Sequence, residues 1–93
     1  MNKTELINSM SEKSGLSKKA SKESLEAFMA VVGDALVDRE KIQLVGFGTF
    51  EVRQRAAKKG KNPQTQEPLD IPAYLAPTFK AGKALKDIVN GRS

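Results

Sequence analysis

Five basic side chains crowd into a short stretch near the middle of the chain, and the chemistry available to them is the binding of anions. The stretch runs from Arg53 to Pro68, and its only acid, Glu67, comes near its end. Cations at this density form the electrostatic footprint of a surface that binds a polyanion. The segment has no large apolar side chain, so it cannot bury enough area to pack on itself. We therefore predict a solvated basic arm, whose cations are Arg53, Arg55, Lys58, Lys59 and Lys61.

Strand-like patterns flank this arm on both sides. The tripeptides FEV before it and LDI after it alternate apolar and polar residues, as half-buried strands do. The Asn62-Pro63 pair near its middle is typical of a turn. The arm is therefore predicted to be a long β-hairpin that leaves a sheet and returns to it. If the period of two continues through the outgoing strand, the cations on one face form a stripe of about 30 Å. That stripe consists of Arg53, Arg55, Lys59 and Lys61.

The net charge of +5 over 93 residues lies in the second half of the chain. Residues 1–50 carry seven basic and seven acidic side chains, whereas residues 51–93 carry nine and four. A chain of this length makes one domain, and a small core of this kind is often completed by oligomerisation. The uneven charge indicates a binding face for an anionic partner.

The composition argues against an enzyme. The chain has no cysteine and no histidine, so it lacks thiolate ligands, the commonest metal ligand and the usual general base. We expect no catalytic residues, no metal, no cofactor and no small-molecule substrate. No apolar run approaches the length of a membrane span, and the first residues do not form a signal peptide. The predicted location is the cytoplasm.

Two helices are predicted at the start of the chain. Asn2 and Glu5 have the spacing of a capping box, and Gly15 fits the end of a helix from Lys3 to Ser14. Ser17 caps a second helix that reaches about Val37. Gly33 inside it suggests the close approach of another helix. The pair is interpreted as an ordinary helical hairpin with a solvated lysine face. The alternative is a helix-turn-helix, in which the lysines facing DNA would be Lys18, Lys19 and Lys22.

The rest of the chain is predicted as a sheet followed by a short helix. A strand through Ile42 and Leu44, a glycine turn and a strand from Thr49 lead into the arm, and residues 65–71 return from it. Pro68 and Pro72 require an edge or a bulge. We expect Ala73 to Phe79 to run off the sheet, a final helix with an apolar face from Ala84 to Val89, and a frayed end at residues 91–93.

The chain resembles the bacterial histone-like HU proteins and their site-specific relative, integration host factor. The matching motifs are VGFGTFEVR, GKNPQT, IPA and FKAGKALKD, with MNKTELI and GLSKK before them, and they span essentially all 93 residues. The resemblance implies an α+β fold with an N-terminal helical hairpin, a three-stranded antiparallel sheet, a protruding β-hairpin arm and a short C-terminal helix. It also implies an intertwined homodimer with a body of residues 1–52 and 69–93 and an arm of residues 53–68.

Site residues are carried over from the same resemblance. Pro63 matches the proline that intercalates between base pairs, a minor-groove mode described for this family. Residues matching arm contacts to DNA are Arg53, Arg55, Lys58, Lys59, Lys61, Asn62, Gln64 and Thr65. Body lysines matching contacts to flanking DNA are Lys3, Lys80, Lys83 and Lys86. The expected dimer core consists of Phe28, Leu36, Leu44, Phe47, Phe50 and Phe79.

The sequence also departs from the family pattern at a few places. Lys61 replaces the usual arginine beside Asn-Pro, and Gln66 replaces a usual glycine. The segment Asp38-Arg39-Glu40 lacks the glycine that is common there, and Tyr74-Leu75 replaces a more polar, basic pair.

The function predicted from these observations is architectural. The chain is expected to bind double-stranded DNA with little sequence preference, to bend and compact it, and to belong to the nucleoid. The alternatives are a site-specific bending factor of the integration-host type and an interaction protein whose basic arm binds an acidic protein. RNA as a side partner and a heterodimer with a paralogue are left open. For Pro63 the simpler alternative is a turn former.

Overall fold

A computed structural model describes residues 1–91, and its helices and strands follow one another in the order ααβββββα. The helices are α1 (Lys3–Ser14), α2 (Lys18–Val37) and α3 (Lys83–Val89). The strands are β1 (Ile42–Leu44), β2 (Gly48–Arg55), β3 (Lys58–Lys61), β4 (Pro68–Ile71) and β5 (Tyr74–Ala81). The described residues form two compact units, which divide between Ala35 and Leu36. The predicted fraying at residues 91–93 falls largely on Arg92 and Ser93, which lie outside the described residues.

In the first unit, short polar caps set the ends of the helices. The Asn2 side chain accepts a hydrogen bond from the Glu5 backbone N–H at 2.9 Å, and Gly15 closes α1 at a φ of 77°. The Ser17 hydroxyl accepts one from the Ala20 N–H at 3.0 Å and so caps α2. These caps satisfy amides that have no partner within the helix. Both predicted helices are confirmed, with the bounds expected from the sequence.

The second unit contains a three-stranded antiparallel sheet in the order β1-β2-β5. Eight residue pairs join β2 to β5, from Gly48 opposite Ala81 to Arg55 opposite Tyr74. A separate two-stranded sheet joins β3 to β4. The predicted α+β fold is confirmed.

The prediction for Ala73 to Phe79 is wrong, because these residues belong mainly to strand β5. Pro77 lies within this strand, opposite Val52, and a proline in a sequence segment normally argues against a strand. A proline is tolerated there because β5 is the edge of its sheet and one side of its backbone needs no hydrogen-bonded neighbour. The returning strand of the arm is correspondingly shorter than predicted and starts at Pro68.

The glycine turn between β1 and β2 is hydrogen-bonded to the start of the last helix. The Gly82 N–H donates to the Phe47 carbonyl at 2.8 Å, and the Leu85 N–H donates to the Gly46 carbonyl at 3.1 Å. Gly48 is buried, and the ring of Phe79 occupies the space that a Cβ at this position would need. These contacts fix where α3 begins relative to the strands.

Large apolar side chains are mostly only half-covered. Among residues 1–91, Ile7 is the only large apolar side chain that is buried. Phe79 packs against Phe50 with ring centroids 4.8 Å apart and against Phe47 at 5.5 Å. Phe47 and Phe79 nevertheless remain 47% and 42% exposed. The chain therefore has an apolar surface that its own described residues leave open.

Candidate nucleic-acid interface

One face of the three-stranded sheet is polar and basic. On β2 the residues Thr49, Glu51, Arg53 and Arg55 alternate onto this face. Opposite them on β5 lie Lys80, Thr78, Ala76 and Tyr74, in that order. The other face carries the apolar partners, such as the pair Phe50 and Phe79. The sheet therefore separates its apolar residues from a cationic surface.

The carboxylate of Glu51 interacts with two cations, Arg53 and Lys41. Its Oε1 accepts hydrogen bonds from Nη2 of Arg53 at 3.1 Å and from Nε at 3.2 Å. Its Oε2 lies 3.8 Å from Nζ of Lys41. The Glu51 side chain is 15% exposed, so its carboxylate is less accessible to water and salt than that of a typical surface acid. A shallow hollow of about 350 Å³ surrounds the group and is lined by Lys41, Gln43, Thr49, Glu51, Arg53 and Lys80.

The predicted continuous basic stripe is interrupted. β2 ends at Arg55, and residues 56–57 lie between it and β3, so Lys59 and Lys61 do not continue the same strand. Arg53 and Arg55 belong to the three-stranded sheet, since they pair with Ala76 and Tyr74. The boundary between body and arm at residue 53 remains a prediction, and the break in strand pairing lies three residues beyond it.

The two-stranded sheet forms the shaft of the arm. Its residue pairs run from Lys58 opposite Ile71 to Lys61 opposite Pro68. The side chains of Lys58, Lys59 and Lys61 are exposed. Lys59 lies opposite Asp70, so one negative charge partly offsets the positive charge of this shaft. The arm therefore presents three lysines to solvent on a narrow support.

Asn62 organises the arm tip. Its side-chain Oδ1 accepts hydrogen bonds from the N–H groups of Gln64 at 2.9 Å and Thr65 at 3.4 Å. Its own N–H donates to the carbonyl of Glu67 at 2.9 Å, and its carbonyl accepts from the Gln66 N–H at 2.8 Å. Asn62 thus closes the loop through both its backbone and its side chain. The predicted turn at Asn-Pro is confirmed.

Two features of this tip bear on binding. Pro63 follows Asn62 and is exposed, so its ring is available to a partner. Gln66 has a φ of 63°, a left-handed conformation that glycine adopts more easily than other residues. The residue that replaces the family's usual glycine therefore stands at a position that favours glycine. Gln64 and Thr65 lie exposed between them.

The predicted body lysines fall in both units. Lys3 lies in the first unit, where its Nζ is 4.0 Å from Oε2 of Glu26. In the second unit, Lys80 is on the polar face of the sheet, and Lys83 and Lys86 are exposed on α3. The helical unit also has a basic hollow of about 530 Å³, lined by Lys3, Thr4, Ile7, Asn8, Lys18, Lys19 and Lys22.

The six predicted dimer-core residues are partly covered. Phe47, Phe50 and Phe79 form one ring cluster in the second unit. Leu36 and Leu44 lie in the same unit, and Phe28 lies in the first, where it is 41% exposed. Their assignment to a dimer interface stays a prediction.

Sequence reasoning missed two residues on the polar face. Glu51 was not assigned a role, although a period of two along β2 places it beside Arg53. Tyr74 was noted only as a departure, because strand β5 was not predicted. Extending the alternation of residues 75, 77 and 79 back to position 74 would have placed its side chain on the face opposite Phe79, but its pairing with Arg55 requires the register of β2 and β5.

Other kinds of site are not found in the part of the chain that the structure describes. No three histidine, cysteine, aspartate or glutamate side chains lie together as a metal site there. No helix among residues 1–91 has the length and hydropathy to cross a membrane.

Comparison with known proteins identifies clear relatives. The model of a family described as bacterial DNA-binding protein matches residues 1–90. DNA-binding protein HU of Geobacillus stearothermophilus is 57% identical over 89 residues, which cover 96% of this chain and 99% of that protein. DNA-binding protein HU 1 of Bacillus subtilis is 55% identical over 92 residues, covering 99% of this chain and 100% of that one. These relatives are named as DNA-binding proteins, in line with the expectation that the chain is not an enzyme.

A solved structure supports the same relationship. The HU–DNA cocrystal structure from Anabaena matches with a TM-score of 0.89 and 42% identity, covering 96% of this chain and 97% of that one. HU from Thermotoga maritima matches with a TM-score of 0.67 and 36% identity, covering 96% of this chain and 98% of that one.

Proposed function

Since the chain belongs to the HU family of bacterial DNA-binding proteins, we propose that it binds double-stranded DNA with little sequence preference and bends it. The observation that carries this proposal is the basic arm, whose three lysines stand exposed on a narrow two-stranded support. Such a support is slim enough to enter a minor groove, whereas a helix needs the wider major groove. The relative from Anabaena was crystallised with DNA.

The active form in this proposal is a homodimer. Val45 is 98% exposed and Phe47 47%, and an apolar surface left this open is unusual for a monomer. A second copy of the chain would cover it and would bring a second arm to the same duplex. Light scattering should then give twice the mass of one chain at micromolar concentration. A monomer that binds and bends DNA would contradict the dimer.

DNA contacts in this proposal are of two kinds. Pro63 inserts between base pairs at the arm tip, which unstacks one step and kinks the duplex. Lysines of the body hold phosphates of the flanking DNA, and the free energy of these contacts offsets the cost of the kink. These lysines are Lys3, Lys80, Lys83 and Lys86. A protein of this kind belongs to the nucleoid in the cytoplasm.

The role of Pro63 is tested with Pro63→Ala. The variant should keep most of the affinity, because the lysines remain, and should bend the duplex less. The matched control is Pro72→Ala, which removes a proline that lies between β4 and β5 and away from the tip. Bending is measured as energy transfer between dyes at the two duplex ends, and affinity as anisotropy. Equal bending by Pro63→Ala and the wild type would make Pro63 a turn former only.

Salt dependence tests the electrostatic basis of binding. The affinity for mixed-sequence duplex should fall steeply with salt, because each neutralised phosphate releases a condensed counterion. A flat response would contradict phosphate binding. Competition with unrelated sequences separates this function from a site-specific factor, which would resist such competitors.

A further inference from the structure

An exposed aromatic residue stands at the root of the arm. Tyr74 is the first residue of β5 and lies directly opposite Arg55, the last residue of β2. Both side chains project from the polar face, on which Arg53 also lies. Tyr74 is 51% exposed. The site therefore combines one flat aromatic ring with two cations.

Packing within the chain does not account for this tyrosine. Its side chain lies on the opposite face from Phe50 and Phe79, so it takes no part in that ring cluster. Within residues 1–91 its hydroxyl makes no hydrogen bond and its ring stacks on no other aromatic ring. Tyrosine combines a large apolar ring with a polar tip, and a ring left open on a cationic face suits a ligand that is both flat and anionic.

The neighbouring arginines differ in their freedom to bind such a ligand. Arg53 is held by Glu51 through two hydrogen bonds of 3.1 and 3.2 Å. Arg55 is exposed and forms no salt bridge in the described part of the chain. Arg55 is therefore the cation that remains available beside the Tyr74 ring, where it can contact a phosphate.

We infer that Tyr74 stacks on an unpaired nucleobase while Arg55 holds the adjoining phosphate. Base stacking on aromatic rings tolerates any sequence, because every base offers a flat face. A base inside an intact duplex has both faces covered by its neighbours, so the ring requires a base that is already free. This inference rests on the proposed DNA binding. It assigns the contact with an unpaired base to Tyr74 and Arg55, whether that base lies in a single strand or is extrahelical in a duplex.

Intrinsic fluorescence gives a direct test, because Tyr74 is the only tyrosine and the chain has no tryptophan. The wild-type protein is titrated with three DNAs, namely oligothymidine, a perfect duplex and the same duplex with one extrahelical thymine. Stacking should quench the tyrosine emission with oligothymidine and with the bulged duplex, and should leave it nearly unchanged with the perfect duplex. Quenching by one of these two ligands alone identifies the source of the base and still supports the inference.

Two variants separate stacking from a structural role. Tyr74→Ser should bind the bulged duplex and oligothymidine about tenfold more weakly, as expected for the loss of one stacked base. Its affinity for the perfect duplex should stay at the wild-type value, which also shows that it is folded. Tyr74→Phe keeps the ring and should bind all three DNAs as the wild type does, by anisotropy of labelled DNA.

The outcomes also separate this inference from the function on which it rests. Wild-type binding to all three DNAs with unchanged tyrosine emission would overturn the stacking role alone. Equal affinity of Tyr74→Ser and the wild type for the bulged duplex and oligothymidine would do the same. Failure to bind any of the DNAs would overturn the proposed function and the inference together.

Discussion

The substitution Gly48→Ala tests how tightly the glycine turn is packed against β5. A Cβ at position 48 would lie 2.5 Å from Cζ and 2.6 Å from Cε1 of Phe79, and 2.7 Å from the carbonyl oxygen of Lys80. Ordinary contacts between carbon atoms are about 3.5 Å or longer. The Phe79 ring can rotate away, since it is 42% exposed. The Lys80 carbonyl cannot, because it belongs to the strand that pairs with β2.

The expected cost follows from this difference. Forcing extra volume into a packed site costs about 1–3 kcal/mol, and a clash with the backbone places Gly48→Ala in the upper part of that range. For a domain of this size, about 2 kcal/mol lowers the melting temperature by roughly 10 °C. The opening of β2 from β5 would also move Phe79 away from Phe47 and Phe50.

Urea unfolding followed by circular dichroism measures this cost. Because oligomer stability depends on concentration, all variants are compared at one protein concentration. The control is Gly33→Ala, the same chemical change in α2, where a Cβ meets no atom of the described chain within 4 Å. Without a partner helix at this position, Gly33→Ala should stabilise the protein by up to about 1 kcal/mol, and a loss of stability would indicate the close approach of a helix from a second copy. If Gly48→Ala unfolds at the wild-type urea concentration, the close packing against Lys80 is refuted.

Three further substitutions test local backbone features. Gln66→Gly should slow hydrogen exchange of the amide at position 66 by about fivefold, because glycine adopts the left-handed conformation of this position at lower cost. An unchanged exchange rate would contradict backbone strain at Gln66. Arg39→Gly should raise the free energy of unfolding by about 0.5–1 kcal/mol, since Arg39 has a φ of 59°, and a lower urea midpoint would argue against this. Asn2→Ala should lower the free energy of unfolding by about 1 kcal/mol through loss of the α1 cap, and it fails as a prediction if the thermal midpoint does not move.

The helices could be predicted from the sequence because their signals are local. Asn2, Ser17 and Gly15 act within one turn of the helix they begin or end, and the structure places each cap as expected. Strand β5 was missed because Pro77 normally argues against a strand. It is tolerated only at the edge of a sheet, and the strand order that makes β5 an edge is not a local property.

The candidate site was predictable in type but not in arrangement. The basic residues and the Asn62-Pro63 turn follow from composition and turn chemistry. The clamp of Glu51 on Arg53 is local, because the two residues share a face of β2. The pairing of Arg55 with Tyr74 depends instead on the register of β2 and β5, which connects residues about 20 apart in the sequence. The residue types of Arg39 and Gln66 do not indicate their left-handed conformations, because both types usually avoid them, and only the glycine that is usual at these places in the family points to them.

The most direct test of the account is energy transfer between dyes at the two ends of a short duplex during titration with the wild-type protein. We predict a rise in transfer that saturates with binding, because the proposed mode of binding bends the duplex and brings its ends closer together. Binding detected by anisotropy with no change in energy transfer would contradict the architectural function and favour a straight-duplex mode. No binding at physiological salt would contradict DNA as the partner of the basic arm.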